Sequence, residues 1–436
     1  MKIAIAGYGV EGQSSYKYWK RMPMVDITIV DEVEIAPELL PEGAKTIFGP
    51  GAFEKLDGFE LVMRSAGIPP WKIKTDGKIW SATNEFFLQC TKEREGVAVK
   101  IPIIGVTGSK GKGTTASLIT SILRAAGRTV HLVGNIGQPA LDVLEYIQPS
   151  DIVVYELSSF QLWDVERSPE TAVVLFIEQE HLDVHKDMEE YVGAKANIAK
   201  FQSADDIVIY NQENEYARSI AELSSGIKIG FPSELTAHIK DRDFYNGEQK
   251  ICSVDALQIP GVHNQSNALA AIDAAWKFTK DPEVIETGLR TFRGLPHRLA
   301  FVRNFRGVDY YDDSIATTPT SAIAALRAFD TPKVIILGGS SKGSDFSELA
   351  KELTQHEVHA LLIGDEAVHI AEVLRAAGFT NFEIIEAPTM EKVVARAHEL
   401  AKEGSVVLLS PATASFGLFK NYADRGDQFI TAVTSL

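Results

Sequence analysis

Cysteine is nearly missing from this chain, with two in 436 residues, Cys90 and Cys252. They share no metal-ligand spacing, so neither a thiolate metal site nor a disulfide framework is expected. No apolar run is long enough to span a bilayer. The N-terminus, MKIAIAGYGVEG, is too short and too Gly-broken for a signal peptide, so a cytoplasmic chain without a membrane partner is expected. Basic residues are in deficit: 43 Lys and Arg against 59 Asp and Glu leave a net charge of −16. That excludes the broad basic face needed for non-specific nucleic-acid binding. An anionic ligand must then be held by a local cluster of cations and not by the global field. Internal repeats, low-complexity tracts and heptad seams are also missing. What remains is ordinary globular composition, 45% apolar and 23% charged, over a length that suits roughly two to four domains.

The stretch around which the rest is organised is 101–127, IPIIGVTGSKGKGTTASLITSILRAAG. The run Ile103–Val106 has the length of a buried strand. TGSKGKG follows as a loop. Ala116, Leu118, Ile119, Ile122, Leu123 and Ala126 then recur at helical spacing, and Gly127 stands where a helix stop belongs. Strand, Gly-rich loop and helix are the context in which a phosphate-binding loop is expected, the alternative being a Gly-rich turn with a solvated lysine. Glycines turn backbone N–H groups toward an anion, the helix N-terminus adds partial positive charge, and Lys112 adds a full one. The spacing departs from the common P-loop pattern, because Gly108 and Gly105 are off its offset and Gly113 follows the lysine where Ser or Thr is usual.

Upstream, MKIAIAG and DITIVD read as strands flanking Gly7-Tyr-Gly9-Val-Glu-Gly12, with Asp31 some twenty residues on. That is a dinucleotide-type fingerprint, serving NAD or any nucleotide whose phosphates use the first strand–helix turn. Downstream, the strand DIVVYE ends in Glu156-Leu-Ser-Ser-Phe-Gln-Leu. The run TAVVLFI leads to Glu178-Gln-Glu-His181-Leu-Asp183-Val-His185, and a helical stretch carries Lys195. An acidic strand end and a Glu/His/Asp/His cluster beside a phosphate loop suit Mg²⁺-nucleotide chemistry, whose hard cation takes oxygen ligands and bridges phosphates. From His297 on, KVIILGG, ALLIG, FEIIEA and SVVLLSPA read as strands. Their polar exits GGSSKGSDFS and SPATASFG, with DDSIATTPTS, lie where open α/β sheets gather ligands. Thr318-Pro319 reads as an N-cap with Pro at the first helical position.

In order along the chain, TGSKGKGTT, GNIG, ELSSFQL, EHLDVH, the lysine at 195, GVHNQSNALAA, GLPHR, DDSIATTPTS, GGSSKGSDFS and SPATASFGLFKNYADRG resemble the motifs of the Mur ligase family over nearly the whole length. ELSSFQL with SPATASF is most similar to the members that add glutamate. The resemblance implies an α/β chain of three domains. A Rossmann-like domain, 1–91, would hold a UDP-sugar. A central P-loop ATPase-like domain with a mostly parallel sheet, 92–296, would hold ATP and Mg²⁺, and a Rossmann-like domain, 297–436, the amino acid. It implies a monomer acting on UDP-N-acetylmuramoyl-L-alanine and D-glutamate through an acyl phosphate.

Residue by residue, the resemblance implies ATP contacts from Gly108, Ser109, Lys110, Gly111, Lys112, Gly113, Thr114, Thr115, Asn267, Arg298 and Asp313. The sugar nucleotide would meet Gly9, Val10, Glu11, Asp31 and Asn135. Glutamate would meet Thr317, Lys342, Ser415 and Phe416. Magnesium would be held by Thr114, Glu156, His181 and Lys195, the last as a carbamate, and catalysis would rest on Lys112, His181, Lys195 and Lys342. The chain departs from the family at Gly113, Phe176, Glu180 and Ile315. Three other readings are weighed against this one. A folate-polyglutamylating ligase would not need the first Gly-rich fingerprint. An NAD oxidoreductase leaves the central motifs unused. A non-catalytic nucleotide sensor rests on Gly113 and Ile315.

Overall fold

The computed structural model describes residues 1–436 except Lys92, Glu95, Gly96, Val99, Asp183, Pro260, 341–343, Ala387, Pro388 and Phe416, and the side chains of Glu93, Arg94, Val97 and Ala98. Three parallel or mostly parallel sheets carry it. The first runs, in spatial order, Lys45–Phe48, Asp26–Asp31, Lys2–Ala6, Leu61–Arg64, Lys78–Ser81, every pair parallel. The chain leaves the central strand Lys2–Ala6 toward one edge and returns to its other side, the doubly wound arrangement that opens a crevice at the strand C-terminal ends. The short strands Lys45–Phe48 and Lys78–Ser81 went unread in the sequence because each has four residues, opens on an exposed lysine and mixes polar with apolar side chains, which dilutes the apolar signal.

The second sheet runs Ile227–Phe231, Ile207–Asn211, Thr171–Val174, Ile103–Thr107, Ile152–Glu156, Val130–Gly134, again all parallel. Ile103–Thr107 is buried at every position, as expected of a parallel strand covered on both faces. The helix after it, Lys112–Ala125, packs on Val262–Ala275 and Pro282–Thr291. A small antiparallel sheet, Ala237–Lys240, Asp243–Asn246 and Gln249–Ser253, lies between them in sequence.

Residues Met1–Gln258 and Val262–Phe292 form one compact unit, so the first two expected domains belong to a single body. Tyr18, Phe86 and Phe87 join the same apolar cluster as Tyr155, Leu157 and Leu162. Ser14 Oγ donates to Asp142 at 2.6 Å, and Asn84 Nδ2 to the carbonyl of Asp164 at 2.8 Å.

Arg293–Leu436, with Ile259–Gly261, is the second unit. Its sheet runs Ala300–Phe305, Val308–Asp312, Val406–Leu409, Lys333–Gly338, Val358–Ile363, Phe382–Ile384; only the first pair is antiparallel. Thr318 caps the helix Pro319–Leu326 as read, accepting the Ser321 N–H at 3.3 Å.

Candidate active site

The central strand Ile103–Thr107 delivers the chain to the loop Gly108–Gly111. Gly111 is the N-cap of the helix Lys112–Ala125, at φ +85°, and a Cβ there would lie 2.3 Å from Asn267 Oδ1. Only glycine meets both demands. First-turn amides of a helix lack intrahelical acceptors, and no side chain caps Gly111. The terminus therefore presents donors and partial positive charge. Lys112 lies back across the loop, its Nζ donating to the carbonyls of Ser109 at 2.8 Å and Gly108 at 3.1 Å. Gly113 is the second residue of this helix, so Thr114, 7% exposed, brings the first hydroxyl of the turn. Thr115 is fully buried.

Ser109 fastens the loop to the exit of the neighbouring strand. Its amide donates to the Phe176 carbonyl, and its hydroxyl donates to the Glu178 carbonyl while accepting the Glu178 N–H at 2.9 Å. Tyr191 OH lies 2.9 Å from the same hydroxyl. Lys110 pairs with Glu178 at 2.5 Å on the exposed rim. Asn267, 8% exposed, donates to Asn264 at 3.1 Å and abuts Gly111.

Lys195 is brought to the same loop by the helix Met188–Lys200, which Asp187 caps by accepting the Glu190 N–H at 2.9 Å. Its Nζ donates to the Gly108 carbonyl at 2.8 Å, and the residue is 1% exposed. Burial, and then the charge of Lys112, hold its pKa well below the usual lysine value against the pull of Glu180 and Glu156. Among the described residues no carboxylate lies within ion-pair distance of that amine.

Glu156 ends the strand beside Ile103–Thr107, paired in register with Val106 and 4% exposed. The motif after it has a local reason. Ser158 and Gln161 form a capping box for the short helix Ser159–Leu162, with the Gln161 N–H on Ser158 Oγ at 3.2 Å and the Ser158 N–H on Gln161 Oε1 at 3.0 Å. Ser159 Oγ lies 2.9 Å from His185 Nε2, whose ring stacks on Phe160 at 5.3 Å. His181, at φ +58° and partly exposed, lies 4.9 Å from the Phe160 ring and 3.8 Å from Glu180. Asn135 is exposed just past the strand Val130–Gly134.

In the first sheet's Gly-rich turn, a Cβ on Gly12 would lie 2.0 Å from the Gly7 carbonyl, so the third glycine serves close helix–strand packing. Gly9 caps the helix and Val10 is exposed at its start. Asp31 accepts the N–H groups of Tyr8 at 3.0 Å and Val33 at 3.2 Å, which holds the turn shut. Glu11 accepts the Ala66 N–H at 2.7 Å. Burial raises its pKa against the bonds from Ala66 and Gln161 and the charge of Arg64.

In the second unit Arg298 is exposed. Asp313 is buried, accepts Ser410 Oγ at 2.7 Å and the Leu299 N–H at 3.0 Å, and is pushed up to about 7 by burial. Thr317 is half-buried ahead of the Thr318 cap, and Ser415 is buried. Their loops are tied by the Ala412 N–H on the Ala316 carbonyl and the Ser340 N–H on the Ala414 carbonyl, both 2.9 Å. Arg425, fully buried, donates to the Ser314 carbonyl and hydroxyl and to the carbonyls of Thr413 and Ala414. Sequence reasoning gave no role to Arg425, the one basic residue of the closing helix Tyr422–Thr434, although it lies in the motif SPATASFGLFKNYADRG. Lys342 and Phe416 lie outside the described residues.

A parallel sheet with a Gly-rich loop and helix N-terminus after an inner strand, an acidic neighbouring strand end and a desolvated lysine are the parts that a nucleotide-dependent enzyme needs. Comparison with known proteins agrees. Residues 106–275 match the Mur ligase middle domain and 297–413 the Mur ligase glutamate ligase domain. The chain belongs to the Mur ligase family. Relatives over the full length include UDP-N-acetylmuramoylalanine--D-glutamate ligases: that of Clostridium tetani is 35% identical over 100% of this chain and 97% of its own, and that of Acetivibrio thermocellus 37% identical over 100% and 96%.

Solved structures agree on the fold. The UDP-N-acetylmuramate-alanine ligase MurC of Thermotoga maritima has TM-score 0.60 at 18% identity, covering 100% of this chain and 99% of its own. The MurF ligase of the same organism, in complex with ADP, has 0.58 at 16%, covering 99% and 94%. A Mycobacterium tuberculosis folylpolyglutamate synthase complexed with ADP has 0.57 at 13%, covering 76% and 91%. No helix among the described residues is long and apolar enough to cross a membrane.

Proposed function

We infer that this chain is an ATP-dependent ligase that joins D-glutamate to UDP-N-acetylmuramoyl-L-alanine in peptidoglycan precursor synthesis, working as a monomer in the cytoplasm. The observation that carries the chemistry is the meeting of Lys112 and Lys195 at the Gly108 carbonyl, beside the buried end of the Glu156 strand. A carboxylate is a poor electrophile. It is activated when one of its oxygens takes the γ-phosphoryl group of ATP and ADP leaves. The neutral amine of glutamate then attacks the acyl carbon, and phosphate departs with the oxygen that the carboxylate supplied. Two anions must be brought together in the first step, so positioning and charge neutralisation dominate. Lys112 and the helix N-terminus would supply them.

Magnesium suits this donor set. Among the described residues no three His, Cys, Asp or Glu side chains are grouped to hold a metal. Mg²⁺ needs few protein oxygens, because it keeps waters and takes phosphate oxygens. Glu156 and Thr114 would supply oxygens, with His181 alongside. Lys195 would join as a carbamate, formed when its neutral amine attacks CO₂ and releases one proton. Bound there, the ion would neutralise the phosphate charge. Ser415 and Thr317, with Lys342 and the backbone near Phe416, would receive the glutamate carboxylates. Asn267, Arg298 and Asp313 would complete the ATP site, and Gly9, Val10, Glu11, Asp31 and Asn135 the sugar-nucleotide site. The test is ADP release with UDP-N-acetylmuramoyl-L-alanine and a panel of D-glutamate, L-glutamate, D-glutamine and glycine. Turnover that depends on D-glutamate is expected; equal turnover with glutamine, or none with any of them, would refute the reading.

A further inference from the structure

Arg64 closes the buried strand Leu61–Arg64, and its side chain has no exposed surface. Nε and Nη2 grip the Asp164 carboxylate at 2.7 Å each. Nη2 also donates to the Phe160 carbonyl at 3.0 Å. Nη1 donates to the carbonyls of Ile68 at 2.9 Å, Ala66 at 3.2 Å and Ser65 at 3.4 Å. The guanidinium thus faces two ways. On one side is its own loop, which lies on the Gly-rich turn: Ser65 Oγ donates to the Gly7 carbonyl at 2.8 Å and the Ala66 N–H to Glu11 at 2.7 Å. On the other is the segment that starts at Glu156, runs through the Ser158 capping box and ends at Asp164. Asn84 adds a second tie, donating to the Asp164 carbonyl and accepting the Glu166 N–H at 2.9 Å.

A buried ion pair stabilises little beyond what apolar packing would. What a planar bidentate fork adds is geometry. We propose that Arg64, through Asp164 and the Phe160 carbonyl, is a positioning residue that sets the span between the Gly7–Gly12 turn and the Glu156 end of the phosphate-loop sheet, and so matches the enzyme to a substrate anchored at both. This rests on the functional reading above. A ligand that fills one of the two sites alone does not register that span. A substrate that holds its diphosphate at one end and its reacting carboxylate at the other does, and a shift of about 1 Å costs on the order of a hundredfold in rate.

The experiment uses the full chain and two variants. Arg64→Lys keeps the charge and loses the fork. Asp164→Asn leaves the bonds of Arg64 to its own loop intact and isolates the link to the central sheet. Calorimetry measures UDP, and separately a non-hydrolysable ATP analogue with Mg²⁺; steady-state assays measure kcat/KM for UDP-N-acetylmuramoyl-L-alanine. Both dissociation constants are expected to stay within about twofold of wild type while kcat/KM falls about tenfold or more in each variant. Unchanged kcat/KM in Asp164→Asn overturns the proposal. So does a loss of UDP or ATP-analogue affinity in Asp164→Asn that parallels the loss of turnover, because the pair would then only shape one site. A wild type that binds no UDP overturns the functional reading itself, and the proposal with it.

Discussion

Lys195 has exchanged water for the Gly108 carbonyl, with the charge of Lys112 nearby. Burial works against the charged form of this amine, and the neutral form is the one that adds CO₂. Lys195→Ala should lower kcat by several orders of magnitude, and acetate or formate should restore part of it by placing a carboxylate in the space vacated. Absence of rescue, together with a wild-type mass free of added CO₂, would refute the carbamate.

Asp273 is a second buried group with a consequence. It accepts the Ala237 N–H at 3.0 Å and Asn246 Nδ2 at 2.7 Å, and burial raises its pKa from 3.8 to about 7. A carboxyl with a raised folded-state pKa favours folding in its protonated form. The penalty for ionising it grows as pH rises from 3.8 to about 7 and is complete above that. Asp273→Asn keeps an acceptor for both donors. The difference in stability between variant and wild type should therefore rise by on the order of 2–3 kcal/mol between pH 5 and 8. Denaturant melts at those two pH values read it, and a pH-independent difference would contradict it.

Such residues were unequally visible in the sequence. Lys112, Glu156 and Lys195 sit in motifs a few residues long. The partners Arg64 and Asp164 are a hundred positions apart, and only the folded sheets bring them together. An arginine ending the apolar run LVMR was the one trace of that contact.

Among the elements, the Gly-rich loop with its strand and helix was legible because an all-buried strand, a run of glycines and a 3.6-residue apolar period coincide there. The sheet 237–253 was not, since strands such as AHIK and DFYN mix charge with apolar residues over four positions. Gly113 stands where Ser or Thr is usual, and Thr114, expected to replace that hydroxyl, lies in the same first turn of the helix. Gly111 is the element's weakest point. Gly111→Ala places a methyl against Asn267 in a left-handed backbone. Affinity for an ATP analogue should fall about tenfold or more, with UDP binding unchanged in the same titration series. Equal ATP-analogue affinity would show that the loop relaxes around the added carbon.

For the whole molecule, three parallel or mostly parallel sheets carry the chain, and the contacts unite the first two into a single body. Composition could not reveal that union; it depends on Arg64, Asn84 and the shared cluster of Tyr18, Phe86 and Tyr155. The central claim is that ATP activates the substrate's own carboxylate before the amine attacks. The most direct measurement uses UDP-N-acetylmuramoyl-L-alanine carrying ¹⁸O in both carboxylate oxygens, turned over with unlabelled ATP and D-glutamate in unlabelled water. Mass spectrometry of the released phosphate should find one ¹⁸O per phosphate, carried over from the carboxylate. Phosphate free of label would mean that ATP is hydrolysed by water at this site, and would contradict the account.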